Sequence, residues 1–174
     1  MPRVYVSIGS NQDAADNVRR CVDALRAEFG ALDCSPVYVN PAVGFPGDDF
    51  LNLVVGFDTA RDIPSLKSWL RAREDAQGRV RGADRFAPRT LDLDLIAYGD
   101  EIHADPPAVL PHPDILKYAF VLKPLADLAP HAYHPLARET YATLWARRAA
   151  DSPPLTEWRG FFEGHPQSTP EAQS

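Results

Sequence analysis

The chain has 174 residues, 24 acidic and 18 basic, and a net charge of −6. Its length suits one domain, and its 45% hydrophobic content supports a packed core, which excludes wholesale disorder. No apolar run approaches the roughly 20 residues of a membrane span, two cysteines (Cys21 and Cys34) exclude a disulfide scaffold or a four-thiolate zinc site, and the acidic balance argues against a general nucleic-acid binder.

Val4, Val6 and Ile8 alternate with Tyr5 and Ser7, the pattern of a first strand. Gly9-Ser10-Asn11 turns the chain, and Ser10 or Asn11 is placed to cap a helix with Asp13 and Asp16 near its positive end. Val18, Val22, Leu25 and Phe29, with Cys21 beside them, give that helix its apolar face, and Gly30 stops it. A second, less regular strand runs over 32–39, a loop over 40–49, and a third strand over 50–57. Asp62 and Pro64 start a second helix bearing Leu66, Trp69 and Leu70, which Gly78 ends. Residues 79–89 read as a polar, basic loop and 90–98 as a fourth strand; Gly99-Asp100 reads as a hairpin turn into a short strand at Glu101-Ile102-His103. A Pro-rich stretch follows, then short helices around 114–118 and 124–129 and a last helix over about 138–150. Pro166 to Ser174 has no apolar anchor and is expected to be disordered.

Strand, helix, two strands, helix, strand is the split βαβ, or ferredoxin-like, order of the α+β class. It predicts a largely antiparallel sheet with both long helices on one face, and a C-terminal helical extension. The domain is expected to span 1–150, with 151–174 a partly disordered tail.

The fourth strand carries the most specific chemistry. In Thr90-Leu91-Asp92-Leu93-Asp94-Leu95-Ile96 the leucines face one side, and Asp92 and Asp94 share the other. Their Cα atoms should lie about 6–7 Å apart. Two such carboxylates repel unless a cation or arginines compensate, and hard oxygen donors at this spacing suit magnesium with substrate phosphates. Between Lys67 and Arg89 seven bases stand against three acids, reversing the trend of the whole chain and favouring a small, multiply charged anion. On the third strand Leu51, Leu53, Val55 and Phe57 point to the helices, while Phe50, Asn52 and Val54 point to the open side. Asn52 there offers a donor and an acceptor together, which suits a flat heterocycle with an amide-like edge. No P-loop, Gly-x-Ser-x-Gly or His-Glu-x-x-His motif is present. His131 and His134 read as surface residues in a Pro-flanked segment.

The run from Arg85 to Ile96, Arg-Phe-Ala-Pro-Arg-Thr-Leu-Asp-Leu-Asp-Leu-Ile, closely resembles the signature of the 6-hydroxymethyl-7,8-dihydropterin pyrophosphokinase family of folate biosynthesis. The resemblance extends in order to Val-Tyr-Val-Ser-Ile-Gly-Ser-Asn at 4–11, Phe50-Leu51-Asn52, Gly78-Arg79-Val80-Arg81, and Pro111-His112-Pro113 with Phe120-Val121-Leu122. It implies a ferredoxin-like core and transfer of pyrophosphate from ATP to the pterin hydroxymethyl group, with release of AMP. It implies that Asp92 and Asp94 hold two magnesium ions, and that Arg79, Arg81 and Arg89 join them in catalysis. Glu74, Arg81, Arg85, Arg89 and His112 are implied at the ATP, and Asn40, Val43, Phe50, Asn52, Phe86 and Phe120 at the pterin. Phe86 and Ala87 stand where other members have Trp and Gly, and Tyr118 stands where many have Arg.

Two rivals are weighed. A nucleotidyltransferase shares a Gly-Ser and an Asp-x-Asp, but here about 80 residues separate Gly9-Ser10 from Asp92, too many for one local turn, and it would release pyrophosphate instead of AMP. A small-molecule-sensing ferredoxin-like domain explains the fold but not paired aspartates beside an arginine loop. The expected partners are therefore ATP and hydroxymethyldihydropterin, with neither nucleic acid nor membrane, and the chain is expected to be a monomer. Met1-Pro2-Arg3-Val4 lacks the apolar stretch of a signal peptide, which with reduced cysteines makes the cytoplasm the expected location.

Overall fold

The computed structural model describes residues 1–41, 48–78 and 91–165. The first strand, β1 (Arg3–Ser10), buries Val4, Val6 and Ile8 completely, as its alternation requires. Helix α1 (Ala14–Phe29) follows, and Gly30, at φ 81°, closes it by donating its N–H to Arg26 O at 3.0 Å. The start of α1 differs from expectation. Its cap is Asp13, in a left-handed conformation, while the Ser10 hydroxyl donates to Gln12 O and the Asn11 amide reaches Asp48 O at 3.3 Å.

The second predicted strand is two short pieces, β2 (Asp33–Cys34) and β3 (Tyr38–Asn40), broken where Ser35 donates its N–H to Val54 O and accepts from Val54 N. Then come β4 (Phe50–Asp58), α2 (Ile63–Ala76) and β5 (Asp92–Tyr98). Asp62 caps α2 by accepting from Ser65 N at 2.9 Å. The sheet order is β5-β1-β4-β3, with β2 also on β4, and every pairing is antiparallel. β4 thus lies between the two strands that α1 connects.

One face of this sheet meets both long helices. Val18, Cys21, Val22 and Leu25 of α1 and Leu66 and Leu70 of α2 pack with Leu53, Val55, Phe57, Leu93 and Leu95 in one core. The other face is not open, as the alternation suggested. Helices α3 (Asp114–Lys117), α4 (Ala119–Leu128) and α5 (Tyr141–Arg148) cover half of it. Val54, read as facing the open side, is fully buried there with Ile96, Val121, Leu122, Leu125 and Tyr141. The apolar stripe of α4 needs a partner surface, and Val54 and Ile96 supply it.

Three further readings change. Glu101-Ile102-His103 is not a strand; a single bridge joins His103 to Leu110. His134 is buried at 2% exposure, because its Nδ1 accepts from the backbone N–H groups of Leu136 and Ala137 and shapes the turn before α5. Residues 151–165 add a sixth strand, β6 (Thr156–Glu157), on β3, and Phe161 is buried in the α1 core, where Arg19 donates to its carbonyl. Residues 166–174 lie outside the described residues.

Candidate active site

The register of β1 with its two neighbours builds the site. Gly9 pairs with Asn52 on one side and Asp92 on the other; Ser7 pairs with Val54 and Asp94. Opposed residues in an antiparallel ladder point to the same face. Asn52, Gly9 and Asp92 therefore form one row across three strands, and Asp94 stands one pleat along in the next. Tyr38 extends the Asn52 row through β3, and Phe50 pairs with Asn40 beside it. Helices α3 to α5 cover the Val54 and Ile96 part of this face, and Asp92 and Asp94 remain half-exposed.

The Asn52 end is buried and polar. Asn52 and Asn40 are 5% and 7% exposed, and the Asn52 amide donates to Asn40 Oδ1. Tyr38 beside them donates its hydroxyl to Asp127 of α4, and Asp127 also pairs with Lys123 at 2.6 Å. Burial, reinforced by Asp127, pushes the Tyr38 phenol well above its ordinary pKa, so it stays a donor. Phe120, in the first turn of α4, stacks on Tyr118 with centroids 4.8 Å apart.

The Asp94 end opens into a cleft of about 550 Å³ along the outer edge of β5, between α2 and the 107–112 segment. Lys67, Arg71 and Glu74 face it from α2, spaced to form one stripe of the helix. Glu74 is buried, and its carboxylate accepts from Leu93 N at 3.2 Å, which satisfies an N–H on the strand's free edge. Ile96, skipped where the β1–β5 register shifts, accepts from His112 N at 2.9 Å and so fixes the far wall.

His112 is oriented as well as placed. Its Nδ1 accepts from Asp114 N at 3.1 Å, so the neutral ring carries its proton on Nε2. Burial lowers its pKa and Lys67 lowers it further, against the carboxylates of Asp114 and Asp92. Among the described residues, Asp94, His112 and Asp114 bring one donor atom each within 4.8 Å of one another, close enough to hold a metal ion. An imidazole nitrogen is a poor partner for magnesium, whereas Asp94, with Asp92 two residues before it on the same face of β5, offers the hard carboxylate oxygens that would suit that ion beside a phosphate-bearing ligand.

Several expected site residues are thus assembled in two adjoining regions. Glu74, Asp94 and His112 line the cleft, Asp92 lies beside it, and Asn40, Asn52 and Phe50 lie across Gly9. Arg79, Arg81, Arg85, Arg89, Val43 and Phe86 fall outside the described residues. The chain enters that stretch from a fixed point, since Gln77 donates to the carbonyl and side chain of Asn17 on α1 at 3.0 and 3.2 Å. Sequence reasoning missed Asp114, although the His-x-Asp spacing at a helix start was its signal, and it missed the position of Gly9 between the two regions.

Residues 5–130 match the model of the 7,8-dihydro-6-hydroxymethylpterin-pyrophosphokinase family. The chain belongs to this family. It is 40% identical over 133 residues to the 2-amino-4-hydroxy-6-hydroxymethyldihydropteridine pyrophosphokinase of Pseudomonas aeruginosa, covering 74% of this chain and 81% of that one. The enzyme of the same name from Synechocystis is 36% identical over 142 residues, 80% of this chain and 72% of the other. The fold matches the wild-type HPPK-DHPS crystal structure from Plasmodium falciparum with a TM-score of 0.66 at 11% identity; the match covers 86% of this chain but only 45% of that longer one. As a member of the family, the chain transfers pyrophosphate from ATP to a hydroxymethyldihydropterin in folate biosynthesis. No helix among the described residues is long and apolar enough to cross a membrane.

Proposed function

We propose that the Asn52 region holds the pterin and the β5-edge cleft holds ATP, so that the acceptor hydroxyl meets the β-phosphorus beside Asp92 and Asp94. The observation that carries this reading is the row Asn52–Gly9–Asp92, which sets a heterocycle-binding amide and a carboxylate on one face with no side chain between them. Asn52, oriented by Asn40, pairs with the polar edge of the pterin, and Phe50 and Phe120 flank its faces. Val43 and Phe86 complete that slot on the strength of the family motif.

Asp92 and Asp94 would hold magnesium, two ions on the family pattern, and the bound metal would supply neutralisation of phosphate charge and a lowered pKa of the acceptor hydroxyl. His112 donates Nε2–H to a phosphate oxygen, a role its Nδ1 contact with Asp114 N prepares. Glu74 holds the strand edge against which the nucleotide lies. The acceptor oxygen attacks the β-phosphorus in line as its proton leaves, the bond from that phosphorus to the oxygen bridging the α-phosphorus breaks, and AMP departs. Arg79, Arg81, Arg85 and Arg89 neutralise charge on the triphosphate, Arg81 and Arg89 during transfer and Arg79 and Arg85 in binding.

The split order of α1 and β4 supports a ferredoxin-like core. Two free cysteines and the acidic charge support a cytoplasmic, monomeric enzyme that binds neither nucleic acid nor membrane. The deciding experiment incubates the protein with Mg-ATP and reduced hydroxymethylpterin and resolves the nucleotides. AMP formed one-for-one with pterin diphosphate is expected. ADP would make the protein a simple kinase and pyrophosphate a nucleotidyltransferase, and either would overturn the reading.

A further inference from the structure

We infer that Tyr38, Asp127 and Lys123 brace α4 against β3 and act as positioning residues for the pterin, setting the gap between the Asn40–Asn52 wall and Phe120; this rests on the assignment of the Asn52 region to the pterin. Phe120, Lys123 and Asp127 follow one another at i, i+3 and i+7 along α4, so they share one stripe of the helix. Tyr38 and Asn40 share one face of β3, and Tyr38 pairs with Asn52 across the ladder. The Tyr38 hydroxyl donates to Asp127 Oδ2, and Lys123 Nζ donates to Asp127 Oδ1 at 2.6 Å. A single carboxylate thus ties the strand that carries Asn40 to the helix that carries Phe120, roughly two turns further along that helix.

Adhesion of α4 to the sheet comes from a different stripe. Val121, Leu122, Leu125 and Ala126 pack with Val54 and Ile96, and such apolar contact has no direction of its own. A hydrogen bond to a carboxylate fixes distance and angle. Tyr38 is 6% exposed, and the side chains of Lys123 and Asp127 are 29% and 22% exposed, so the network is partly shielded from competing water. The Lys123 ammonium also lies 5.9 Å from the centroid of the Tyr38 ring and 5.7 Å from that of Trp145 on α5, a cation between two aromatic rings. On its other edge β3 is held by β6, where Tyr38 pairs with Glu157. Trp145 and β6 both reach the brace from beyond residue 130, where the family match ends, which gives the C-terminal extension a part in shaping the slot. Within α4, Pro124 brings no N–H to the Phe120 carbonyl, so the turn bearing Phe120 lacks that bond to the helix and depends more on how α4 is anchored.

The test compares Tyr38→Phe, Asp127→Ala and Asp127→Asn with the wild type, with Asn52→Ala alongside. Binding of reduced hydroxymethylpterin is measured by calorimetry with a non-hydrolysable Mg-ATP analogue present, so that the complete site is titrated, and the KM of each substrate is taken from AMP release. Tyr38→Phe should raise the Kd and KM for pterin roughly three- to tenfold, the effect of a small displacement of a slot wall, with ATP KM and kcat changed by less than about twofold. Asp127→Ala should weaken pterin at least as much, and Asp127→Asn, which keeps an acceptor for the phenol, should recover most of the affinity. The double variant Tyr38→Phe with Asp127→Ala should be no weaker than Asp127→Ala alone, because both remove one contact. Tyr38→Phe removes a single oxygen and leaves the Asp127–Lys123 pair in place, so this variant should fold, which its thermal midpoint checks. A lowered midpoint with unchanged pterin affinity makes the network a prop of the fold alone and overturns the inference, as does equal weakening of pterin and ATP. Pterin affinity that falls in Asn52→Ala but holds in Tyr38→Phe and Asp127→Ala rejects the brace alone; affinity unchanged in Asn52→Ala rejects the pterin assignment on which the brace rests.

Discussion

Gly9→Ala puts one methyl group at the centre of the proposed site. A Cβ added at Gly9 would lie 3.0 Å from Asn52 Oδ1, with the next nearest atom, Leu51 O, at 4.0 Å. Gly9 is a strand residue with no positive φ, so the backbone accepts alanine. Loss of glycine freedom in the unfolded chain stabilises by roughly 0.4–1 kcal/mol, and a tight contact of this kind costs roughly 1–3 kcal/mol. The net cost is about 0–2.5 kcal/mol, which a domain of ordinary stability, about 5–15 kcal/mol, survives. The functional cost is larger in kind. Asn52 must yield by a few tenths of an ångström, and its amide, which donates to Asn40 Oδ1, is the group proposed to meet the heterocycle. Losing one buried hydrogen bond to the pterin costs about 1–3 kcal/mol, or roughly 5- to 150-fold in pterin KM. Steady-state kinetics should show that rise with ATP KM changed by less than about threefold, and Asn52→Ala should weaken pterin binding likewise. The double variant should be non-additive, because removing Asn52 removes the collision. A normal pterin KM in folded Gly9→Ala protein would refute the placement of the acceptor beside Asn52.

Two other predictions concern the carboxylates and a histidine. Asp94→Asn and Asp92→Asn keep the shape of two half-exposed side chains, so thermal midpoints should move by only a few degrees while turnover falls by about 3–4 kcal/mol, two to three orders of magnitude; near-normal kcat in either variant sinks the metal assignment, and manganese binding followed by paramagnetic resonance gives a readout independent of turnover. Burial lowers the His134 pKa, so the unfolded chain takes up the proton first; the associated stability is complete above the unfolded value of roughly 6.5 and is lost as pH falls through the lower folded value. Thermal melts between pH 7 and 5 should therefore show a steeper decline for the wild type than for His134→Gln, and equal slopes would reject the argument.

What was legible in the sequence was what local periodicity encodes. The strict alternation of β1 and β5 sorted leucines from aspartates correctly, because a side chain's face in a strand follows from parity alone. The ends of α2 were equally plain, since Asp62 and Gly78 act through their immediate neighbours. Parity could not say what each face meets. Asn52 and Val54 share a face, yet Val54 lies under α4 and Asn52 beside Asn40; the difference is set by where α4 docks, some 65 residues on. His134 was misjudged for the same reason. A polar flank suggested a surface, but its ring nitrogen serves the backbone of its own turn, and that contact buries it. Phe161 and β6 depend on long-range contacts with α1 and β3 that carry no local signal.

The two proposed substrate regions meet through a glycine because of how the ladder is built. Adjacent strands lie about 4.8 Å apart, so Asn52 and Asp92, on opposite sides of β1, are separated by two such spacings, about 10 Å. Any side chain at the middle position would stand on that path, on the face the substrates use. Gly9 leaves it open. An acceptor held edge-on by Asn52 can then project its hydroxymethyl arm across β1 toward Asp92 without a loop having to move. The separation is fixed by backbone hydrogen bonds and by the Val4, Val6 and Ile8 core on the opposite face. The distance between acceptor and carboxylates is therefore a property of the sheet itself. It resists mutations in the cleft wall and responds to the one position where a single added carbon enters the row.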